Sequence, residues 1–383
     1  MTDLKIPVRT TPFPTWPRPT SAAATRLTDA YASGHWWQSG GGMAEELEAR
    51  LAGDHGATGC VAVANGTLAL EVALRALGIG AGDEVLVPAT TFVSSASAVV
   101  AVGARPVPVD VLPTTWCVDM SAAKAAIGPR TRAFIVVHLA GQPVDLPTAR
   151  ELCDRHGIAM IEDSAQATTA RWDTCRVGTV GDLTTFSFQA AKLLPGGDGG
   201  AVLVRSDTQV LRRAEMIANC GRPRGSGSYD YREIGTNARI SEFAAALVLG
   251  HLPEYEELFV IRDRNARRLA EALGKLEQDL VVGTDPAVTR HDRYMFLIRL
   301  PREVAARSAN AAVAGALTAT GIPAAPMYSA WPHTPAYAPF RAPAPVAAEA
   351  ATRGVWLHHR LLLDPDVAED VTRAVRQVCG LDA

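Results

Sequence analysis

The chain of 383 residues predicts an α/β protein: a large domain with a mainly parallel, seven-stranded sheet flanked by helices, then a smaller α+β domain. Three observations lead there. From about Glu45 to Gly250, short β-branched runs alternate with longer helical ones, the pattern of strand–helix–strand units that bury both faces of a sheet. Beyond Pro253 the pattern changes to a long charged helix and a strand of period two. An apolar content of 48 % over this length is enough for two cores.

The elements follow in order. Residues 1–44 form an N-terminal segment whose start, Met1 to Thr20, is a Pro/Thr-rich run without the apolar core of a signal peptide. The large domain, 45–252, carries strands expected at Cys60–Ala64, Glu84–Val87, Arg105–Val109, Phe134–Leu139, Ala159–Ile161, Thr184–Phe188 and Ala201–Val204. Helices are expected between them at Leu68–Leu77 (closed by Gly78), Ser94–Val102 and Leu146–His156. The small domain, 253–383, opens with a helix over Tyr255–Leu273, continues to a strand near Tyr294–Leu300, and contains an Ala/Pro-rich loop near Ala342–Ala348. A net charge of −3 without a basic run argues against nucleic-acid or anionic-membrane partners. No apolar stretch reaches the roughly 18 residues of a spanning helix. Cys60, Cys117, Cys153, Cys175, Cys220 and Cys379 stand far apart without a CxxC pair, which predicts reduced thiols of a cytoplasmic protein and no metal site.

In parallel sheets, ligands collect beyond the carboxyl ends of the strands, and four strand ends carry chemistry here. The first runs into Asn65-Gly66-Thr67 and then a helix, a turn that receives a phosphate or is simply an N-cap. The second leads to Phe92, an aromatic for stacking on a planar ring or for the core. The third ends in Glu162-Asp163-Ser164-Ala165-Gln166; a carboxylate there is costly to bury unless it meets a cation, so Asp163 either pairs with a protonated ring nitrogen or caps a helix, and Gln166 is placed for a ring oxygen. The fourth delivers Ser187 and then Lys192. The chain holds 33 arginines but only four lysines, Lys5, Lys124, Lys192 and Lys275. Only a lysine can release its proton and attack a carbonyl carbon. Lys192 has apolar and small neighbours and no acid at helical spacing, and desolvation depresses the pKa of such an amine. A phosphate cup, a stacking face, an anion and an amine are together what pyridoxal phosphate (PLP) requires.

Val63-Ala64-Asn65-Gly66-Thr67, Val87-Pro88-Ala89-Thr90-Thr91-Phe92, Glu162-Asp163-Ser164-Ala165-Gln166, Thr185-Phe186-Ser187-Phe188-Gln189-Ala190-Ala191-Lys192 and Gly235-Thr236-Asn237-Ala238-Arg239 resemble the DegT/DnrJ/EryC1/StrS aminotransferases. These are fold-type I PLP enzymes acting on sugars and cyclitols, and the resemblance spans about Gly34 to Pro365. It implies that Lys192 holds PLP as an imine, Asp163 binds the pyridine nitrogen, Gln166 contacts the ring hydroxyl and Phe92 stacks on the ring. It also implies that Gly66, Thr67, Ser187 and Gln189 form the cofactor cradle, and that Asn237 reaches the phosphate of a neighbouring subunit, hence a homodimer with shared active sites. Gly34-His35-Trp36-Trp37, Cys220-Gly221-Arg222-Pro223-Arg224 and Val355-Trp356-Leu357-His358-His359-Arg360 resemble, more narrowly, the 3-amino-5-hydroxybenzoate synthase and cyclitol aminotransferase branch. Departures are Thr169, in a stretch where the family carries a histidine, Ala190 and Pro195 in place of polar residues, and Asp198 where glutamate is usual.

The reaction these residues predict is transamination from glutamine or glutamate to a cyclic ketone, a keto-cyclitol or keto-sugar, in natural-product biosynthesis, with Lys192 moving the proton. Candidate substrate residues are Arg222 and Arg224, as guanidinium forks for carboxylate, Tyr229, Tyr231, His358 and His359 for ring hydroxyls, and Trp36 and Trp37 at the site mouth. Two alternatives remain: proton abstraction that dehydrates and aromatises an aminodehydroshikimate-type ring, and a regulatory partner subunit, which would not need to keep Lys192 and Asp163.

Overall fold

The computed structural model describes residues 7–38, 40–225 and 229–381. Seven strands, β1 (Gly59–Val63), β2 (Glu84–Pro88), β3 (Arg105–Val109), β4 (Thr131–Val137), β5 (Ala159–Asp163), β6 (Leu183–Ser187) and β7 (Gly200–Val204), form one sheet in the order β1-β7-β6-β5-β4-β2-β3. The pairs β2–β3, β2–β4, β4–β5 and β5–β6 are parallel. Only β7 runs against its neighbours, β1 and β6. The other six strands therefore end on one edge of the sheet.

Alternate residues of these strands feed two separate cores. Leu86, Phe134, Val136, Met160 and Leu203 pack on one face; Val85, Val87, Ile135, Ile161 and Val202 pack on the other. Burial on both sides is why the strands read as unbroken apolar runs. A second sheet, β8 (Met295–Arg299), β9 (Ala324–Pro326) and β10 (Gly354–His358), has β10 in the middle and antiparallel to both neighbours. Leu269 and Leu273 of helix Tyr255–Leu276 and Val371 and Val375 of helix Val367–Cys379 pack with it in a third core.

The beginning of the chain belongs to that third core. Phe13 is buried in it, the amides of Val8 and Arg9 donate to the Thr320 carbonyl, and Arg9 bonds Asp364 at 2.6 Å and Asp370 at 2.8 Å.

Three expectations change. The strand placed at Ala159–Ile161 continues to Asp163, paired with Val137 and Thr185, and no helix follows for Asp163 to cap. The strand expected to reach Leu139 stops at Val137, because Leu139–Gly141 forms a tight turn with Ala140 at φ 58° whose amide donates to Gln166 Oε1 at 2.7 Å. The supposed loop at Ala342–Ala348 contains the start of helix Pro345–Arg353. Pro345 sits in the first turn, where its missing N–H costs nothing, and Asp110 from the end of β3 accepts from the amides of Val346 and Ala347.

Candidate active site

Sheet geometry places the strand ends around one cavity of about 740 Å³. After β1, Asn65 caps helix Gly66–Ala76, its Oδ1 accepting from Leu68 N at 2.9 Å. The first amides of that helix have no intrahelical acceptor and carry the positive end of its dipole. A Cβ on Gly66 would lie 2.8 Å from Ser187 Cβ, so only glycine lets the end of β6 close against this turn. Gly200, opposite both Val63 and Ser187 in register, is equally constrained: its Cβ would meet the Asn65 carbonyl at 2.6 Å. Thr67 Oγ1 donates to Ser94 Oγ at 2.9 Å, and Thr67, Ser94 and Ser187 all line the cavity.

Period-two alternation separates the two acids at the end of β5. Glu162 is fully buried away from the cavity, accepting from the amides of Gly178, Val180 and Gly181 and paired with His138 Nε2 at 3.1 Å. Burial alone would raise its pKa; the His138 contact and the amides hold it below the ordinary carboxylate value. Asp163 points into the cavity, 6 % exposed. Its Oδ2 accepts from Ser95 Oγ at 2.7 Å and its Oδ1 from Ala165 N at 3.1 Å, and Ser95 is itself bonded to Thr91 Oγ1 at 3.0 Å.

Lys192 reaches the same cavity from the loop after β6. Burial lowers its amine from 10.5 to about 8, against the opposing pull of Asp163. Its Nζ lies 4.6 Å from the centroid of the Tyr294 ring. A helix N-terminus ringed by hydroxyls, a fixed carboxylate and an amine of lowered pKa match a phosphorylated pyridine aldehyde group by group.

Of the residues singled out in the sequence, Gly66, Thr67, Phe92, Asp163, Gln166, Ser187, Gln189 and Lys192 line this cavity. Asn237 does not; it is exposed, bridged through its backbone to Asn219. Trp36 and Trp37 lie on the surface at 49 % and 51 % exposure, Trp36 stacked on Tyr31 and Trp37 under Arg239. Tyr229 and Tyr231 are also exposed, with Arg222 over the Tyr229 ring. Arg224 is already engaged: both its terminal nitrogens fork onto the buried Glu48 at 2.5 and 2.6 Å, so it is not free for a substrate carboxylate. His358 and His359 do not line the cavity; each bonds the Ala191 carbonyl at 3.1 Å. Thr169, where a histidine was missing, belongs to a different structure: with the amides of Thr168 and Ala170 it wraps the buried Asp292.

Tyr294, Tyr328, Trp356, Ser95 and Glu71 also line the cavity and were not singled out from sequence. The run Thr90-Thr91-Phe92-Val93-Ser94-Ser95 was a hydroxyl-rich signal for Ser95. For Tyr294, Tyr328 and Trp356, no local pattern says that the second sheet faces the first.

Residues 20–376 match the DegT/DnrJ/EryC1/StrS aminotransferase family. The chain belongs to that family. As a DegT/DnrJ/EryC1/StrS member it is a fold-type I, PLP-dependent aminotransferase. It is 36% identical to a 3-amino-5-hydroxybenzoate synthase of Amycolatopsis mediterranei (strain S699), covering 92% of this chain and 93% of that one. It is 37% identical to an L-glutamine:2-deoxy-scyllo-inosose aminotransferase of Streptoalloteichus tenebrarius, covering 97% and 95%. The crystal structure of a 3-amino-5-hydroxybenzoic acid synthase superposes with a TM-score of 0.91 at 35% identity, covering 96% of this chain and 99% of that one.

Proposed function

We propose that this aminotransferase moves the amino group of glutamine to an uncharged, hydroxylated cyclic ketone of the keto-cyclitol type. One observation carries the choice: the described cavity wall holds three carboxylates, Glu71, Asp163 and Asp198, against one cation, Lys192, and no arginine. Such a wall repels acids and offers acceptors to ring hydroxyls. The same field favours glutamine, net neutral as a zwitterion, over glutamate. The named activity of the 2-deoxy-scyllo-inosose aminotransferases, 37% identical over nearly the full chain, supports both choices.

When bound, PLP supplies an aldehyde that takes up the amino group and a ring that withdraws electrons from the carbon beside it. The chain supplies the rest. Lys192 is the base and acid that moves the proton to and from that carbon. Asp163, held by Ser95 and the Ala165 amide, keeps a proton on the ring nitrogen. Thr67, Ser187 and the helix N-terminus bind the phosphate; Phe92 covers the ring, and Gln166 and Gln189 fix its edge. We further propose a cytoplasmic homodimer in which the exposed Asn237 crosses to the partner's site; the free thiols of Cys60, Cys117, Cys153, Cys175 and Cys220 support the compartment. The division 1–44, 45–252 and 253–383 is proposed on the same terms.

A second reading has its own support: the 3-amino-5-hydroxybenzoate synthase relative and the superposition with such an enzyme favour dehydration of a carboxylated ring. Single-turnover assays decide. The PLP form is mixed with glutamine, glutamate or aminodehydroshikimate, and the amino form that the amino acids leave is mixed with a keto-cyclitol or a keto-sugar. Amination of the keto-cyclitol after glutamine is expected; aromatisation of aminodehydroshikimate without amino transfer overturns the proposal.

A further inference from the structure

We infer that Trp16, His358 and His359 are positioning residues for Lys192: three ring N–H groups from outside the main sheet converge on the two carbonyls that flank its Cα. The inference rests on the reading of Lys192 as the residue that holds PLP. Lys192 lies in an irregular loop between β6 and β7, where no ladder of hydrogen bonds fixes the backbone. The loop secures its own amides: Lys192 N donates to Gln189 O at 2.7 Å, Ala190 N to Gly197 O at 3.0 Å and Ala191 N to Gln189 Oε1 at 2.7 Å. Its carbonyls are secured by distant segments. The Ala191 carbonyl accepts from His358 Nε2 and His359 Nε2, each at 3.1 Å, and the Lys192 carbonyl accepts from Trp16 Nε1 at 3.0 Å. The peptide planes on both sides of the Lys192 Cα are thus held, and with them the direction in which the side chain leaves the backbone.

Chemistry fixes the sense of these bonds. A carbonyl only accepts, so both imidazoles carry their proton on Nε2. His358 Nδ1 accepts from Arg360 N at 3.2 Å, which completes its neutral tautomer. Burial holds His358 at about 4. His359 is fully buried; burial, then His358 and Arg262, hold it well below its ordinary value. Neither ring gains a second proton in the neutral range, so His358 Nδ1 stays an acceptor for the Arg360 amide. The rings also brace one another: His358 and His359 are 4.2 Å apart, Trp16 meets His359 edge-on at 4.6 Å, and Tyr294 lies 5.9 Å from His359. Tyr294 in turn lies under the Lys192 amine, so one aromatic stack supports both the backbone and the tip of this lysine. None of the three rings lines the cavity; the contacts they make are to the backbone that carries Lys192.

An amine that must attack one carbon and later carry a proton between two others gains rate from a fixed origin, since misplacement by about 1 Å costs on the order of 100-fold. The test compares Trp16→Phe, His358→Phe, His359→Phe and His359→Gln in the full-length protein. Glutamine retains an N–H near the place of Nε2. Two readouts are followed: the rate at which the visible imine band forms when PLP is added to cofactor-free protein, and the single-turnover rate and KM with glutamine. Trp16→Phe and His358→Phe are each expected to slow both rates about tenfold, equivalent to about 1.4 kcal/mol, with KM changed less than twofold. His359→Gln should recover most of what His359→Phe loses. If His359→Phe fails to fold, the other three variants decide. Folded variants with both rates within twofold of the parent overturn the inference. Lys192→Ala separates the two levels: a borohydride-fixable band surviving in that variant sinks the reading of Lys192 itself, whatever the rings do.

Discussion

Reactivity of Lys192 should titrate far below that of an ordinary lysine. At its usual 10.5, an amine is free in about one molecule in 3,000 at pH 7; at about 8, where burial places Lys192, it is free in about one in ten. The cavity thus raises the population of nucleophile roughly 300-fold at neutral pH. The assay is stopped-flow absorbance of PLP mixed with cofactor-free protein across pH, referenced to N-acetyl-lysine methylamide to correct for titration of the aldehyde. The rate should rise with pH and level off with a midpoint near 8. Asp163 opposes the shift by favouring the ammonium, so Asp163→Asn should move the midpoint lower still while weakening cofactor binding. The sign extends to stability. Between about 8 and 10.5 the unfolded chain keeps a proton that folded Lys192 has released, so the cofactor-free fold gains stability as pH rises through that window. A midpoint remaining near 10 in the parent protein would refute the claim that the cavity desolvates this amine.

Two further outcomes test the frame around it. Gly200→Ala puts a Cβ 2.6 Å from the Asn65 carbonyl in a central strand; denaturant unfolding should show a loss of about 1–3 kcal/mol, and equilibrium titration should show weaker PLP binding because the displaced turn is the phosphate cradle. Glu162→Gln faces an amide toward the Gly178 N–H that the carboxylate now accepts, and should cost roughly 3 kcal/mol at pH 7. Since the folded pKa of Glu162 is depressed, its contribution is present above the ordinary value of 4.5 and lost as pH falls through the folded one. Melting curves of the variant should therefore lack part of the parent's loss of stability on the acid side; identical acid limbs would contradict the buried pair.

Much of the cofactor site was legible in the sequence because its parts are local. A strand, a turn residue and a helix cap lie within a few positions of each other at Asn65–Thr67, and Asp163 and Lys192 are costly residue types at the last position of one strand and in the loop after another. Periodicity carries such information, since a strand that must be covered on both faces writes its burial into consecutive residues. Where local patterns misplaced an element, a distant partner was responsible: Gln166 ends β4 by capturing the Ala140 amide, and Asp110 starts a helix 235 positions later at Pro345.

The same contrast divides the whole protein. Sequence alone determined that strand ends of a mainly parallel sheet would gather at one edge, and that an amine, an acid and a phosphate turn would be among them. Tertiary structure alone decided which charges were free, committing Arg224 to Glu48 and His358 and His359 to the Ala191 carbonyl. It also brought Trp16, from the start of the chain, to the Lys192 carbonyl and Tyr294 beneath its amine. The physical reason is that hydrogen bonds and ion pairs are satisfied by whichever group arrives within about 3 Å. Across the 167 to 176 positions of chain that these hydrogen bonds span, only the packing of the cores determines which group that is.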